Sequence, residues 1–204
     1  MHKKADTQHD IHELLQSRWS PRAFSTRPVE ADKLLSLFEA ARWSPSGGNT
    51  QPWGFVVVTR ENTETHRKLV ETMSGRNATW AAHAPVLVLA VVRPPRPGTA
   101  IGRFTYYDVG QAVAHLSIQA TAMGLHVHQM GGFDGDKARL VAGVPDGHET
   151  MTLIAIGYYG SAEQLNDDLR ANELAARTRR PLSETVFGER WGEPLHLAQP
   201  EARG

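Results

Sequence analysis

Two apolar stretches decide the fold: residues 86–92, VLVLAVV, and residues 107–123, YDVGQAVAHLSIQATAM. The first stretch is apolar at every position, which is typical of a strand that is buried on both faces. The second is apolar almost all round at helical spacing, and such a helix lies at the centre of a fold or in an interface. Together they predict one α+β domain with a handful of strands and a long helix at its centre.

Shorter periodic segments predict the elements around this pair. A capping box at 10–13 predicts a short helix that ends at Ser17. The other predicted helices span 31–43, 62–73, 137–142 and 161–178, and the other predicted strands span 55–59, 125–130 and 151–157. No internal repeat or long linker divides the chain, so residues 1–204 are expected to form a single domain. Residues 1–9 and 193–204 are expected to be tails that are flexible or embrace a partner.

The composition excludes several classes of protein. The 22 Lys and Arg residues balance 22 Asp and Glu residues, so a general nucleic-acid or membrane-surface role has no electrostatic support. Because the chain has no cysteine, it has no disulfide, thiolate nucleophile or iron–sulfur ligand. The N-terminus lacks the apolar stretch of a signal peptide, and residues 84–92 are too short to span a bilayer. We therefore expect a protein of the reducing cytoplasm.

Residues 18–24, RWSPRAF, place a serine between two arginines at alternate positions. Pro21 favours an extended backbone, in which alternate side chains point the same way. Arg18, Ser20 and Arg22 would then converge as a clamp for an anion such as a phosphate monoester. For this segment alone, the alternative is a pair of solvated arginines. Residues 177–180, RTRR, could complete a phosphate site or could only interact with a helix dipole.

Two segments with paired glycines could border a planar ligand. Residues 43–53, WSPSGGNTQPW, combine glycines that let a backbone approach a ligand closely with polar side chains such as Ser46 and Asn49. Residues 129–134, QMGGFD, follow a predicted buried strand, and ligands often lie at strand ends. A plain turn with Asp134 as a helix N-cap is compatible with such a contact.

Few other residues could carry chemistry. His126 and His128 could face one side of a strand, but the sequence offers no clear third ligand, which favours structural histidines over a metal site. Aromatic residues at 104, 106 and 107 could form a wall over a planar substrate or pack in the core. No Rossmann glycine motif, Walker A loop, serine elbow or zinc helix is present. The chemistry is therefore expected to belong to an organic cofactor.

Taken in order, these segments resemble the FMN-dependent nitroreductase family. Residues 18–24 match its N-terminal Arg-x-Ser-x-Arg/Lys-x-Phe motif, and residues 43–53 match its most distinctive loop, Pro-Ser-x-x-Asn-x-Gln-Pro-Trp. The supporting matches are Asn77-x-x-Trp80-x-x-x-Ala84-Pro85, Gly124-Leu125 ahead of Gly131-Gly132-Phe133, and Arg179-Arg180-Pro181-Leu182. The resemblance covers residues 11–192.

The resemblance implies an α+β fold with a mixed, mainly antiparallel sheet, in an intimate homodimer with two FMN sites at the subunit interface. It implies that the FMN phosphate and ribityl chain are held by Arg18, Ser20, Arg22, Arg177 and Arg179, with Arg180 as a further candidate. Trp19 is implied to be a further cofactor-binding residue. The residues implied to line the flavin are Pro45, Ser46, Gly47 and Asn49 from the other subunit and Asn77 at the pyrimidine edge. The residues implied to lie along the ring are Gln129, Met130, Gly131 and Gly132, with an amide near the two glycines close to flavin N5.

The resemblance also implies an activity. Hydride would pass from NADH or NADPH through FMN to a small planar, electron-poor acceptor such as a nitroaromatic or a quinone, in a ping-pong mechanism. No catalytic acid–base side chain is implied. The alternatives are a specialised flavin reaction, namely azoline dehydrogenation, dehalogenation or flavin cleavage, and a flavin carrier or sensor without turnover. We expect no metal, nucleic acid or membrane as a partner.

Overall fold

The computed structural model of the protein describes residues 3–197, and within this range it contains seven α-helices and four β-strands. The helices are α1 (Glu13–Ser17), α2 (Ala31–Arg42), α3 (Thr63–Glu71), α4 (Asn77–Ala81), α5 (Arg103–Ala122), α6 (Gly135–Val141) and α7 (Asp167–Leu174). The strands are β1 (Trp53–Thr59), β2 (Val86–Val92), β3 (His126–Met130) and β4 (Glu149–Gly157). Residues 1–2 of the predicted N-terminal tail and residues 198–204 of the predicted C-terminal tail lie outside the described residues.

The four strands form one sheet in the order β1-β2-β4-β3, and each of these three pairings is antiparallel. In the middle of the sheet, Val88 pairs with Val57 on one side and Ile154 on the other. Helices cover both faces of this sheet, which confirms the α+β class.

The strand β2 has the predicted bounds, and all seven of its residues are buried. Because successive side chains of a strand point to opposite faces, β2 contributes to two separate cores. Leu87 and Leu89 pack in the core that contains Phe24 and Trp80, under α3, α4 and α6. The alternate residues of β2 pack in the second core, which α2 and α5 cover. The central strand is therefore buried on both faces, as its sequence predicts.

The long helix α5 begins at Arg103 rather than at the predicted Tyr107. Its start is defined locally, because the Thr105 hydroxyl accepts a hydrogen bond from the backbone N–H of Gly102 at 3.2 Å. One side of α5 is buried in the second core, whereas Gly110 and Ala114 are exposed on its other side. The helix is thus buried on one side only, and its other side, which carries Gly110, Ala114 and Tyr107, is bare in the single chain.

Two local predictions need correction, and one short helix has no counterpart among the predicted elements. The cap of α1 is His12 and not Asp10, because His12 Nδ1 accepts the Leu14 N–H at 3.2 Å. The predicted polar helix 161–178 is broken: a 3-10 turn spans Ala162–Gln164, and α7 starts only after Asn166, whose side chain accepts the Leu169 N–H at 3.0 Å. The short helix α4 was not predicted, because five residues are too few for a periodic pattern.

Candidate functional site

The segment after α1 runs along the end of the sheet. Phe24 forms an antiparallel bridge with Tyr159, and the Gly160 N–H donates to the Ala23 carbonyl at 2.7 Å. Further back, His128 Nδ1–H donates to the Pro21 carbonyl at 2.8 Å. These bonds fix the path of residues 21–24. The segment is not extended throughout, because the chain bends at Arg22, whose carbonyl accepts the Phe24 N–H at 3.2 Å.

Five cations from three distant parts of the chain line one cavity of about 230 Å³ beside this segment. We call them the cation cluster: Lys3, Arg18, Arg22, Arg177 and Arg179. Ser20 lines the same cavity, and its hydroxyl accepts a hydrogen bond from Arg18 Nη1 at 3.3 Å. The two arginine-containing motifs of the sequence therefore meet at one place.

The cation cluster carries positive charge that the chain itself does not neutralise. Burial lowers the pKa of Arg18, and the positive charges of Arg177 and Arg179 lower it further. Within residues 3–197, neither Arg18 nor Arg179 has a carboxylate within 4.0 Å. His128 lies under the cluster, where burial foremost, then Arg22 and Arg18, lower its pKa to about 4. The site favours an anion from outside the chain.

The carboxylate nearest the cluster is that of Glu173 on α7, and it accepts hydrogen bonds from backbone N–H groups. The residue is 1% exposed, and its carboxylate accepts the N–H groups of Arg22 at 3.0 Å and Ala23 at 3.1 Å. Its distance to Arg22 Nη1 is 4.0 Å, the limit of an ion pair. Glu173 therefore fixes the backbone of the clamp. The sequence pattern does not single out Glu173, because it is one of several acidic residues in a polar helix.

Three of the predicted residues use their side chains in other ways. Arg177 Nη1 donates to the carbonyls of Lys3 at 2.8 Å and Gln16 at 2.6 Å, so this arginine also ties the N-terminal segment down. The Trp19 indole is 5% exposed and packs against Tyr159. Arg180 lines a larger neighbouring cavity of about 670 Å³ rather than that of the cation cluster.

The loop between α2 and β1 has a strained backbone that α5 holds in place. Gly48 and Asn49 have φ +56° and Gln51 has φ +47°, values that cost free energy in non-glycine residues. The Gly47 N–H donates to Asp108 Oδ2 at 3.0 Å, and Ser44 hydrogen-bonds with His115. Asp108 and His115 both lie on α5. They were not predicted, because their partners are distant in the sequence.

The glycine turn after β3 lies beside Asn77, as the predicted site requires. The Gly132 carbonyl accepts the Ser74 N–H at 2.9 Å and Asn77 Nδ2–H at 3.5 Å. A Cβ at Gly132 would lie 3.0 Å from Ser74 Oγ and 3.1 Å from Asn77 Nδ2, so a side chain there would crowd both groups. Gly131 instead faces open space.

The strand residues before this turn point in different directions. Met130 is 3% exposed and packs in the core with its side chain, which leaves only its backbone for a ligand. Gln129 is exposed, and its Nε2 lies 3.4 Å from Ser117 Oγ.

The remaining candidates divide between surface and core. Phe104 and Tyr107 are two-thirds exposed, at 67% and 66%, whereas the Tyr106 hydroxyl donates to Glu149. Among residues 3–197, no group of three or more His, Asp or Glu side chains could hold a metal ion. Over the same range, no helix has the length and apolar character needed to cross a membrane.

Comparisons with known proteins agree with this architecture. The model of the nitroreductase family matches residues 15–158. A solved structure described as an oxidoreductase containing FMN is 32% identical, with a TM-score of 0.83 over 92% of this chain and 96% of that one.

Two relatives are also similar in sequence. An uncharacterised 15.4 kDa protein of Mycolicibacterium smegmatis is 32% identical over 114 residues, which cover 56% of this chain and 77% of that protein. A protein of Archaeoglobus fulgidus, provisionally named NADH dehydrogenase/NAD(P)H nitroreductase, is 24% identical over 153 residues, which cover 71% of this chain and 83% of that protein. This chain belongs to the nitroreductase family and is an oxidoreductase of that family.

Proposed function

We propose that the protein is an FMN-dependent oxidoreductase, which takes hydride from NADH or NADPH and passes it to a nitroaromatic, a quinone or a similar electron-poor acceptor. The observation that carries this proposal is the cation cluster. Four of its five cations are partly buried and Arg179 is exposed, a serine hydroxyl lies beside them, and neither Arg18 nor Arg179 has a carboxylate within 4.0 Å among the described residues. A phosphate monoester supplies the missing negative charge and accepts several hydrogen bonds at once.

The donor set fits FMN in particular. Arg18, Ser20, Arg22 and Arg179 would hold the phosphate, while Glu173 keeps the backbone of the clamp in place. The open Gly131 backbone and the Asn77 amide would border the polar edge of the ring. The solved structure described as an oxidoreductase containing FMN is 32% identical to this chain, and it supports the same cofactor.

A homodimer would complete this site. None of the loop residues 45–51 lines the cavity of the cation cluster. The loop and the cation cluster of one chain therefore do not enclose a flavin between them. The face of α5 that bears Gly110 and Ala114 is bare. The helix α1, which packs against α5, exposes Leu15, and Ile11 is exposed just before α1. We propose that a second copy covers this face and brings the residues Pro45, Ser46, Gly47 and Asn49 to the flavin.

The chemistry requires little from the side chains. Bound FMN supplies the uptake of hydride from a nicotinamide and its release to an acceptor. The chain binds the phosphate, orients the ring and leaves one face open, which the two substrates would occupy in turn with ping-pong kinetics. The backbone dipoles at Gly131 and Gly132 would stabilise negative charge that develops on the ring. We assign no acid–base residue.

Anaerobic stopped-flow spectroscopy of the purified flavoprotein tests this proposal. We expect NADH or NADPH to bleach the flavin in the first half-reaction, and a nitroaromatic or quinone to restore its colour in the second. If neither nicotinamide bleaches the flavin, the oxidoreductase cycle is wrong and a carrier or sensor role is favoured. If bleaching occurs but no acceptor of these classes restores the colour, a specialised flavin reaction is favoured.

A further inference from the structure

The segment before α1 is tied across the cation cluster. Arg177 Nη1 donates to the Lys3 carbonyl at 2.8 Å, and the Ala5 N–H donates to the Gln16 carbonyl at 2.9 Å. Further along, the Gln8 side chain accepts the Leu182 N–H at 3.3 Å. Residues 3–8, which we call the N-terminal strap, thus join α1 to the basic segment after α7. The strap precedes the family match, which begins at residue 15.

Lys3 is held in one orientation by the strap and its neighbours. Its Nζ donates to the Glu173 carbonyl at 2.6 Å and lies 4.9 Å from the centre of the Trp19 ring. The side chain is half-buried, and it lines the same cavity as Arg18, Ser20 and Arg22. Burial lowers the pKa of Lys3, and the Glu173 carboxylate opposes this shift. An ammonium group has three N–H donors, so the bond to Glu173 leaves donors for an anion.

We propose that the N-terminal strap delivers Lys3 as an additional ligand of the cofactor phosphate, and that Arg177 acts mainly by holding the strap over the site. The inference rests on the proposed function, because it takes the anion to be the phosphate of FMN. Lys3 then shares the phosphate with Arg18 and Arg22. Lys4, its neighbour in the sequence, is exposed and does not line the cavity.

Titration calorimetry with FMN and with riboflavin, which lacks the phosphate, tests this role on the full chain freed of flavin. We expect Lys3→Gln to weaken FMN binding about tenfold, the usual scale for a charge-assisted hydrogen bond. Lys3→Arg should recover most of the affinity, and the matched control Lys4→Gln should bind FMN within about twofold of wild type. Riboflavin affinity should stay the same in all three variants.

Three outcomes would overturn the inference in distinguishable ways. If Lys3→Gln binds FMN as wild type does, Lys3 is not a phosphate ligand and the proposed function is untouched. If Lys3→Gln weakens riboflavin as much as FMN, Lys3 supports the local structure and does not contact phosphate. If the wild-type protein itself does not prefer FMN to riboflavin, the phosphate assignment of the whole cation cluster is wrong.

Discussion

At the scale of single residues, Arg22 gives the sharpest test of the anion site. The substitution Arg22→Glu places a carboxylate against the bound phosphate, and we expect FMN affinity to fall about a hundredfold or more. The purified variant should therefore be nearly colourless. A matched control is Arg60→Glu, at an exposed position after β1 and away from the cavity. Full flavin occupancy in Arg22→Glu, measured as absorbance per chain, would remove Arg22 from the site.

Asn49 combines a side-chain role with a strained backbone, and two substitutions separate them. Its φ of +56° is tolerated by glycine, so Asn49→Gly deletes the amide without the backbone cost that Asn49→Ala adds, on the order of 1 kcal/mol. We expect both variants to weaken FMN binding to a similar extent, and Asn49→Ala also to lower the free energy of unfolding of the apo chain by about 1 kcal/mol. Equilibrium titration with FMN measures the first effect and urea unfolding the second. Wild-type affinity in Asn49→Gly would show that the amide makes no contact.

The sequence could predict which residues have the right chemistry but not what holds them. Arg18, Ser20 and Arg22 were predicted to converge because period-two geometry follows from an extended backbone, and the structure brings them together. Glu173 lies 151 positions from Arg22, and local patterns contain no information on such a contact. Asp108 and His115 cannot be found from residue spacing for the same reason, and Lys3 lies in a segment that the sequence predicts to be a tail.

At the scale of elements, the edge strand β3 should make stability depend on pH through His128. The pKa of His128 is about 4 in the folded protein and 6.5 in a free side chain, so the unfolded chain binds the proton more tightly. The stability that His128 contributes is therefore complete above pH 6.5 and is lost as pH falls from 6.5 towards 4. The difference between the two pKa values of His128 corresponds to about 3 kcal/mol in the free energy of unfolding.

Urea unfolding between pH 7 and pH 4.5 measures this slope. We expect His128→Gln, which can still donate to the Pro21 carbonyl, to lose much less stability than wild type over that window. Part of the slope should remain, because burial also lowers the pKa of His66. The exposed His83→Gln serves as the control and should keep the wild-type slope. Equal slopes in His128→Gln and wild type would contradict the account.

The elements that were predicted well are those whose signal lies within the element itself. The bounds of β2 follow from an apolar run that begins after Pro85 and ends before Arg93 and Pro94. The break before α7 was missed, because Ser161 and Asn166 both cap helices and their side-chain bonds decide between one helix and two. Competition of this kind depends on geometry that spacing alone does not contain.

At the scale of the whole molecule, the bare face of α5 is the test of the dimer. A Cβ at Gly110 meets no atom within 4 Å in the single chain, so Gly110→Arg fits the monomer and also gains helix propensity. In a dimer packed on this face, the arginine would clash and be desolvated. We expect sedimentation to show monomers that retain the fold but bind FMN poorly, since the loop 45–51 of a second copy is lost.

The control for this experiment is Leu140→Arg on α6. Leu140 is 72% exposed, and α6 packs on the opposite face of the sheet from α5. This variant should remain dimeric and keep its flavin. A dimeric Gly110→Arg protein with normal flavin content would contradict the proposed interface.

The central claim is that the cation cluster holds the phosphate of FMN. The most direct measurement is the identity and amount of the flavin that denatured protein releases, after the purified protein has been saturated with equal FMN, FAD and riboflavin and then freed of unbound ligand. The account predicts FMN at about one equivalent per chain, with little riboflavin. Retention of riboflavin as readily as FMN, or of no flavin at all, would contradict it.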